Sequence, residues 1–269
     1  QRDQASAEER AKFDATRREL EQRIQDAEDK NKRAISMAQQ VFQPARSAAP
    51  EVDMLVAGHC DAVITGGVDT QGDRLEAYAW AVGRQNERWL VDHRVIYGDP
   101  SIPEDQPNSP WATLTEVRRT QYTHASGATL PVSACAVDSG GHHTQQVYHY
   151  ARRHQAEHVL AIKGSSIANR PVLGKPTDIE VNYKGQRIKR GARVWPVGTD
   201  TAKSIIYSEL RVLQAGAGYR HFSRHTPSYV YDQLTAERLV TKHSHGMPVR
   251  TWVKSASARN EALDASVYA

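Results

Sequence analysis

The chain has 269 residues and a net charge of +4, with 39% hydrophobic and 25% charged residues, an ordinary balance for a domain with a real core. No stretch approaches the roughly 18 consecutive apolar residues of a membrane span, and none near the start reads as a signal peptide. Two cysteines, Cys60 and Cys135, are too few for a disulfide framework or a Cys-rich zinc site and fit a reducing compartment.

The first residue is Gln, which reads as a fragment of a longer chain. Residues 1–43 lack Gly and Pro, alternate in charge sign and are rich in helix formers. Phe13, Leu20, Ile24, Ala27, Ala34, Ala38 and Val41 form the seam of an amphipathic helix, interrupted by Arg17 and Asn31. A linker, Pro44–Pro50, closes this first unit, so the expected division is 1–50 and 51–269.

From there the pattern turns strand-like. Ala62–Asp69, Arg74–Val82 and Arg88–Tyr97 are apolar runs joined by short turns and predict an antiparallel meander. Trp111–Tyr122 reads as a helix, Val132–Asp138 as a buried strand, Thr144–His154 as a helix and Val159–Lys163 as a strand. That alternation predicts parallel strands joined by crossovers, hence an α/β class with a mixed sheet flanked by helices. Ile179–Val197 reads as a hairpin around Lys184-Gly185, and Asp200–Leu213 as a helix capped by Thr199 or Asp200. Tyr219–Phe222 reads as a short strand, Thr235–His243 as a helix, and Arg259–Ala269 as a helix cut short by the end of the sequence.

Charge is unevenly spread. Residues 51–140 carry 6 Lys/Arg against 13 Asp/Glu, and residues 141–269 carry 19 against 9. An acidic half followed by a basic half suits a metal-dependent enzyme that acts on a polyanion. Asp69 and Asp138 each end an apolar strand and precede a turn-prone segment, so adjacent strands would bring both carboxylates to one sheet edge. Asp264 sits among Ala262, Leu263, Ala265 and Val267, where an acid needs a partner or a metal. Three such carboxylates can hold one or two hard cations, Mg²⁺ or Mn²⁺, that activate water for phosphodiester cleavage. The alternative is that the strand-end acids only cap their turns.

The blocks GGVDTQGDRLE, VIYGD, AVDSGGHHTQQVY, AIKGSS, VGTDTAK, LTAERLV and RNEALDASVYA, in that order from Ile64 to Ala269, resemble the nuclease domain of lambda-type phage terminase large subunits. The resemblance implies a ribonuclease-H-like fold that cuts concatemeric double-stranded viral DNA, with the catalytic and metal-binding acids at Asp69, Asp138 and Asp264. It also implies an ATPase motor in the same protein, a small terminase subunit and a portal as partners, and action in the host cytoplasm rather than in the virion, with no membrane. No G-x-x-x-x-G-K-[ST] phosphate loop occurs; the nearest match, Gly174-Lys175-Pro176-Thr177, lacks the upstream glycine.

Lys163 ends a strand at the same predicted edge and is a candidate for contact with the scissile phosphate, or else a solvated lysine. Glu261, three residues before Asp264, is a candidate fourth metal ligand or a surface acid beside Arg259. His142 or His143 is a candidate for a phosphate contact or proton transfer, whereas His154 and His158 have zinc spacing but straddle a helix end. Lys184, Arg187, Lys189, Arg190 and Arg193 cluster on the hairpin as an arm for the DNA backbone, and Lys203 opens the next helix as a further phosphate contact. The expected function is therefore a Mg²⁺- or Mn²⁺-dependent endodeoxyribonuclease using two ions. Another ribonuclease-H-like phosphotransferase, such as a transposase or junction resolvase, and a silent DNA-gripping module stand as alternatives.

Overall fold

The computed structural model describes residues 62–269, except Ala125, His142, Ser166, Lys184, Gly185, His245 and Gly246. The helix expected over 1–43, its linker and the candidate residues Lys184 and His142 lie outside the described residues.

The meander forms as the apolar runs predict. Strands β1 (Val63–Thr70), β2 (Arg74–Val82) and β3 (Arg88–Tyr97) pair antiparallel, and the first turn closes with Gln71 N donating to Arg74 O at 3.0 Å. Helix α1 (Pro110–Arg118) starts where Ser109 Oγ accepts from Trp111 N at 3.3 Å and Pro110, with no N–H to satisfy, takes the first turn. It stops short of the expected Tyr122. Gln121–Thr123 is instead strand β4, whose backbone finds a partner in β5 (Thr129–Asp138).

Strand β5 lies parallel to β1, helix α2 (Thr144–Arg153) crosses over, and β6 (Val159–Ser165) lies parallel to β5. The predicted hairpin is β7 (Thr177–Tyr183) with β8 (Gln186–Gly198), the latter parallel to β6. Helix α3 (Thr199–Glu209) is capped at Gly198 without a side-chain bond, and Thr199 Oγ1, the expected cap, donates instead to Ser165 O at 3.0 Å. Strand β9 (Arg220–His221) runs beside β3, and helix α4 (Ser228–Leu234) follows.

The helix expected over Thr235–His243 is a strand. Glu237–Ser244 (β10) pairs antiparallel with Met247–Lys254 (β11) as a separate two-stranded sheet. Glu237, Arg238, Leu239 and Lys242 favour a helix, but the β-branched pair Val240 and Thr241 does not, and a partner strand that supplies a full ladder outweighs the weak local preference. Helix α5 (Glu261–Tyr268) ends the described chain, within the span predicted for it. Among the described residues no helix is long and apolar enough to cross a membrane.

The main sheet runs β7-β8-β6-β5-β1-β2-β3-β9, a mixed sheet with the parallel strands at its centre. One face packs Val68, Leu75 and Val137 against Trp111 and Leu114 of α1 and Val147 of α2. The other packs Ala136, Ile162 and Val197 against Ala202 and Ile206 of α3 and Leu263 and Val267 of α5. Covering on both faces explains why the central strands read as unbroken apolar runs.

Helix α5 approaches β1 so closely that a Cβ on Gly67 would stand 1.9 Å from the Ala265 carbonyl oxygen. By contrast a Cβ on Gly72, in the β1–β2 turn, meets nothing within 4 Å. Gly67→Ala is therefore expected to cost about 2–3 kcal/mol by forcing the backbones apart, lowering Tm by at least about 4 °C for a domain of this size. Gly72→Ala is expected to melt within a degree or so of the parent; calorimetry on both variants checks the contrast.

Candidate active site

Parallel pairing of β1 with β5, in which Val68 faces Val137, sets Asp69 and Asp138 side by side at the ends of adjacent central strands. Thr70 Oγ1 locks the pair by donating to the Asp138 carbonyl at 3.1 Å. Because strand side chains alternate, Asp69 points to the same face as Gly67, the face on which α5 lies. That packing brings Asp264, one residue before Ala265, to the same edge.

The environments of the three acids differ. Asp69 is only 5% exposed, and its Oδ2 accepts from Gln71 Nε2 at 2.5 Å. Burial pushes its carboxyl up to about 7 against that hydrogen bond, and the charges of Asp264 and Asp138 add to the rise. Asp138 accepts from Gly140 N at 3.0 Å. Burial lifts it to about 6, with Asp264 adding to the rise and Gly140 and the Lys163 charge opposing it. Asp264 is also raised by burial, opposed chiefly by Lys203. Tyr268, at the end of α5, is raised by burial and then by the charges of Asp138, Asp264 and Asp69.

Lys203 corrects an expectation. Its side chain is not offered to a phosphate: the residue is 9% exposed, and Nζ lies 2.7 Å from Glu237 Oε1 and 3.0 Å from Asp264 Oδ1. Asn260 Nδ2 donates to Asp264 Oδ2 at 2.8 Å and to Glu237 Oε1 at 2.7 Å. The second turn of α3 faces α5 and the base of β10, so a long cation there meets the buried acids before it meets solvent.

Glu261 is likewise committed. Its Oε1 accepts from Arg74 Nη2 at 3.0 Å and from Arg259 Nε at 3.1 Å, so two guanidinium groups already balance the charge expected to bind metal. The same arginines hold Glu76, fully buried and paired across the strands with Asp69, through Arg74 Nε at 2.6 Å and through Arg259 Nη2. Lys163 is exposed at the end of β6, near enough to Asp138 to oppose its rise. His154 is no zinc ligand: Nε2 stands 2.8 Å from Glu104 and Nδ1 3.0 Å from Glu157, past the last residue of α2.

On the hairpin, Lys189 is exposed on β8, and Arg193 Nε pairs with Asp178 across the strands at 3.0 Å, a surface pair of small worth. Arg187 and Arg190 lie on β8, with side chains outside the described residues. Glu237, Asn260, Tyr268 and the Arg74–Glu76–Arg259 group had no place among the sequence candidates. Only Asn260, an N-cap type before an acid-rich first turn, left a local signal.

The donor set fits a hard divalent cation in kind: Asp69 and Asp138 carry carboxylate oxygens, their hydrogen-bonding partners among the described residues are neutral, and a bound cation would oppose the rise in proton affinity that burial, and then the neighbouring acids, cause. As placed, no group of three or more His, Cys, Asp or Glu among the described residues is arranged to hold an ion, and Asp264 has both oxygens engaged by Lys203 and Asn260.

A mixed sheet with two acids at the ends of adjacent parallel strands and a third on a helix laid across them is the build of an α/β nuclease domain. The chain belongs to the family of terminase large-subunit endonuclease domains: the family model "Terminase large subunit gpA, endonuclease domain" matches residues 15–269. It is 33% identical over 217 residues to the terminase large subunit of Escherichia phage lambda and 32% over 217 residues to that of Enterobacteria phage P21. Each match covers 77% of this chain but only 31% of the relative, so the chain spans under a third of those proteins. Among solved structures it is similar to the large terminase nuclease of thermophilic phage G20c, with a TM-score of 0.41 and 9% identity over 78% of this chain and 81% of that one. It is also similar to the g2p large terminase nuclease domain of bacteriophage SPP1 with bound Mn, with a TM-score of 0.39 and 12% identity over 82% and 91%.

The raised carboxyls predict a pH dependence. A carboxyl that holds its proton more tightly when folded destabilises nothing below about pH 4; the penalty grows as pH rises toward the folded value and is complete above it. For Asp69, raised from 3.8 to about 7, the loss falls between those values and is on the order of a few kcal/mol. With chelator present, Asp69→Asn is expected to lose less stability than the parent between pH 4 and pH 7 and to exceed it at pH 8. Urea unfolding across that range checks this, and parallel pH curves for the two proteins contradict it.

Proposed function

We propose that this chain is the DNA-cutting part of a viral packaging terminase large subunit, hydrolysing phosphodiester bonds of concatemeric double-stranded DNA with Mg²⁺ or Mn²⁺. The observation that carries this is the pairing of Asp69 and Asp138 at one sheet edge with proton affinities raised by burial and by neighbouring acids. Those two carboxylates would hold the ion. When bound, a divalent cation supplies water activation and charge stabilisation at phosphorus.

The chain's own residues prepare that edge. Gln71 fixes the Asp69 carboxylate and the Gly140 N–H fixes Asp138, so neither has to reorient to act. Lys163, exposed and near enough for its charge to oppose the rise of Asp138, would be the residue to meet a non-bridging phosphate oxygen. Asp264 is held in place by Lys203 and Asn260. The β7–β8 hairpin, with Lys184, Arg187, Lys189, Arg190 and Arg193 in its sequence, supplies cations for backbone phosphates, which fix register and carry little sequence preference. An ATPase motor in the same longer protein, a small terminase subunit and a portal are the partners this reading calls for, with the host cytoplasm as its place of action.

Plasmid nicking in Mg²⁺ or Mn²⁺ tests the assignment. Asp69→Asn and Asp138→Asn are each expected to slow nicking by more than the roughly 10–100-fold cost of removing a residue that only supports a ligand, with circular dichroism unchanged. Parent-like nicking by either variant removes the assignment, and no metal-dependent nicking by the parent leaves only a DNA-gripping module.

The hairpin has its own test. Neutralising Lys184, Arg187, Lys189 and Arg190 together is expected to weaken DNA binding and to flatten the log–log salt dependence by roughly 0.9 for each phosphate that the arm no longer neutralises. Binding titrations at several salt concentrations measure that slope, and an unchanged slope means the hairpin is only solvated.

A further inference from the structure

We propose that the β10–β11 ribbon is a second DNA arm, which enters the major groove of the duplex tip first and sets Lys242 and Arg250 against the phosphates on its two walls. The inference rests on the DNA-cutting reading above and concerns how the duplex is held.

The ribbon is rooted beside Asp264. Glu237, the first residue of β10, is 7% exposed and bound to Lys203 Nζ at 2.7 Å, and the same ammonium lies 3.0 Å from Asp264 Oδ1. Asn260 Nδ2 donates to Glu237 and to Asp264. A little further out, Trp252 of β11 lies against Tyr207 of α3. Beyond that anchorage the ribbon leaves the body of the domain. From the rung that pairs Thr241 with Arg250 to the one that pairs Ser244 with Met247, the side chains described are exposed. Those four rungs reach on the order of 13 Å at strand spacing.

The charge and polarity of this outer part fit a duplex. Between residues 237 and 254 the only acid is Glu237, already balanced by Lys203, against Arg238, Lys242, Arg250 and Lys254. Among the described residues no ion pair or hydrogen bond engages the side chain of Lys242 or Arg250. These two cations stand on adjacent rungs, so the alternation of strand side chains sends them to opposite faces of the ribbon. A ribbon laid flat on DNA would use one of them; a ribbon inserted by its tip presents one to each wall of a groove. Toward the tip the residues are apolar and in water: Met247 is 68% and Val249 44% exposed, with Pro248 exposed between them. Base edges, with their thymine methyl groups, offer such residues a drier contact. The major groove, about 12 Å wide and about 8.5 Å deep, admits a two-stranded ribbon of this reach, and the minor groove, about 6 Å wide, does not.

Fluorescence anisotropy of a labelled duplex titrated with the 269-residue chain, in chelator so that nothing is cut, tests this. Methyl green, which occupies the major groove, is expected to weaken binding by the parent, and netropsin, which occupies the minor groove, is not. Lys242→Gln/Arg250→Gln is expected to lower the log–log salt slope by about 1.8, two phosphates' worth, and Lys242→Arg/Arg250→Lys to restore it. An unchanged slope in the Gln variant, or weakening by netropsin in place of methyl green, overturns the proposal. If the Gln variant does not fold, the two groove ligands decide on the parent alone. Each of these outcomes leaves the nuclease reading intact, because metal-dependent plasmid nicking is read separately. A parent that binds as expected and nicks no plasmid overturns the nuclease reading alone, and a parent that neither binds nor nicks overturns both.

Discussion

The close approach of α5 to β1 is the constraint on which the acidic edge depends. Only a residue without a side chain lets the Ala265 carbonyl come down on Gly67, and Asp264 precedes Ala265 in the chain. A helix held even an ångström or two higher would carry its carboxylate away from Asp69. The start of α5 is fixed as well, by an alternating ring of two arginines and two glutamates. Arg74 bridges Glu76 and Glu261 from β2, and Arg259 bridges the same two acids from the residues leading into the helix. Glycine sets the height of the helix, and the ring sets its position along the strand pair.

Neutralisation then sorts acids that look alike. Glu76 and Glu261 face guanidinium groups, Glu237 and Asp264 share an ammonium, and Asp69 and Asp138 accept hydrogen bonds from neutral donors. Burial raises the proton affinity of all three aspartates, but among the described residues only Asp264 has a buried cation on hand to oppose the rise. Among the described residues, the acids that lack a buried countercharge are the ones at the strand ends. The fold in this way leaves its uncompensated acids at the ends of adjacent strands, the placement on which the proposed metal site rests.

The same economy accounts for the detached hairpin of β10 and β11. It takes no part in the main sheet, yet its first residue is tied to α3 and α5 through Glu237, and Trp252 on β11 packs at a tilt of 44° against Tyr207 of α3 with ring centres 4.7 Å apart. An element that local propensity barely defines is held by a buried charge at one end and an aromatic contact along its length.

Much of this was legible in the sequence. Central strands covered on both faces must be continuous apolar runs, so β1, β2, β3, β5 and β6 stood out, and an acid that ends such a run must emerge at the sheet edge, which marked Asp69 and Asp138. The apolar surroundings of Asp264 marked it for the same reason. Lys203, Glu261 and the strand at Glu237–Ser244 were decided elsewhere. A lysine near a helix start looks the same whether it faces solvent or a buried carboxylate far along the chain, and Glu261 looks the same whether it meets a metal or an arginine from β2. A strand whose partner is the next segment looks like a weak helix until the ladder forms. Burial patterns are local and can be read from the sequence; the partner of a charge or of a backbone edge is chosen by tertiary packing, because it lies far along the chain and only the fold brings it near.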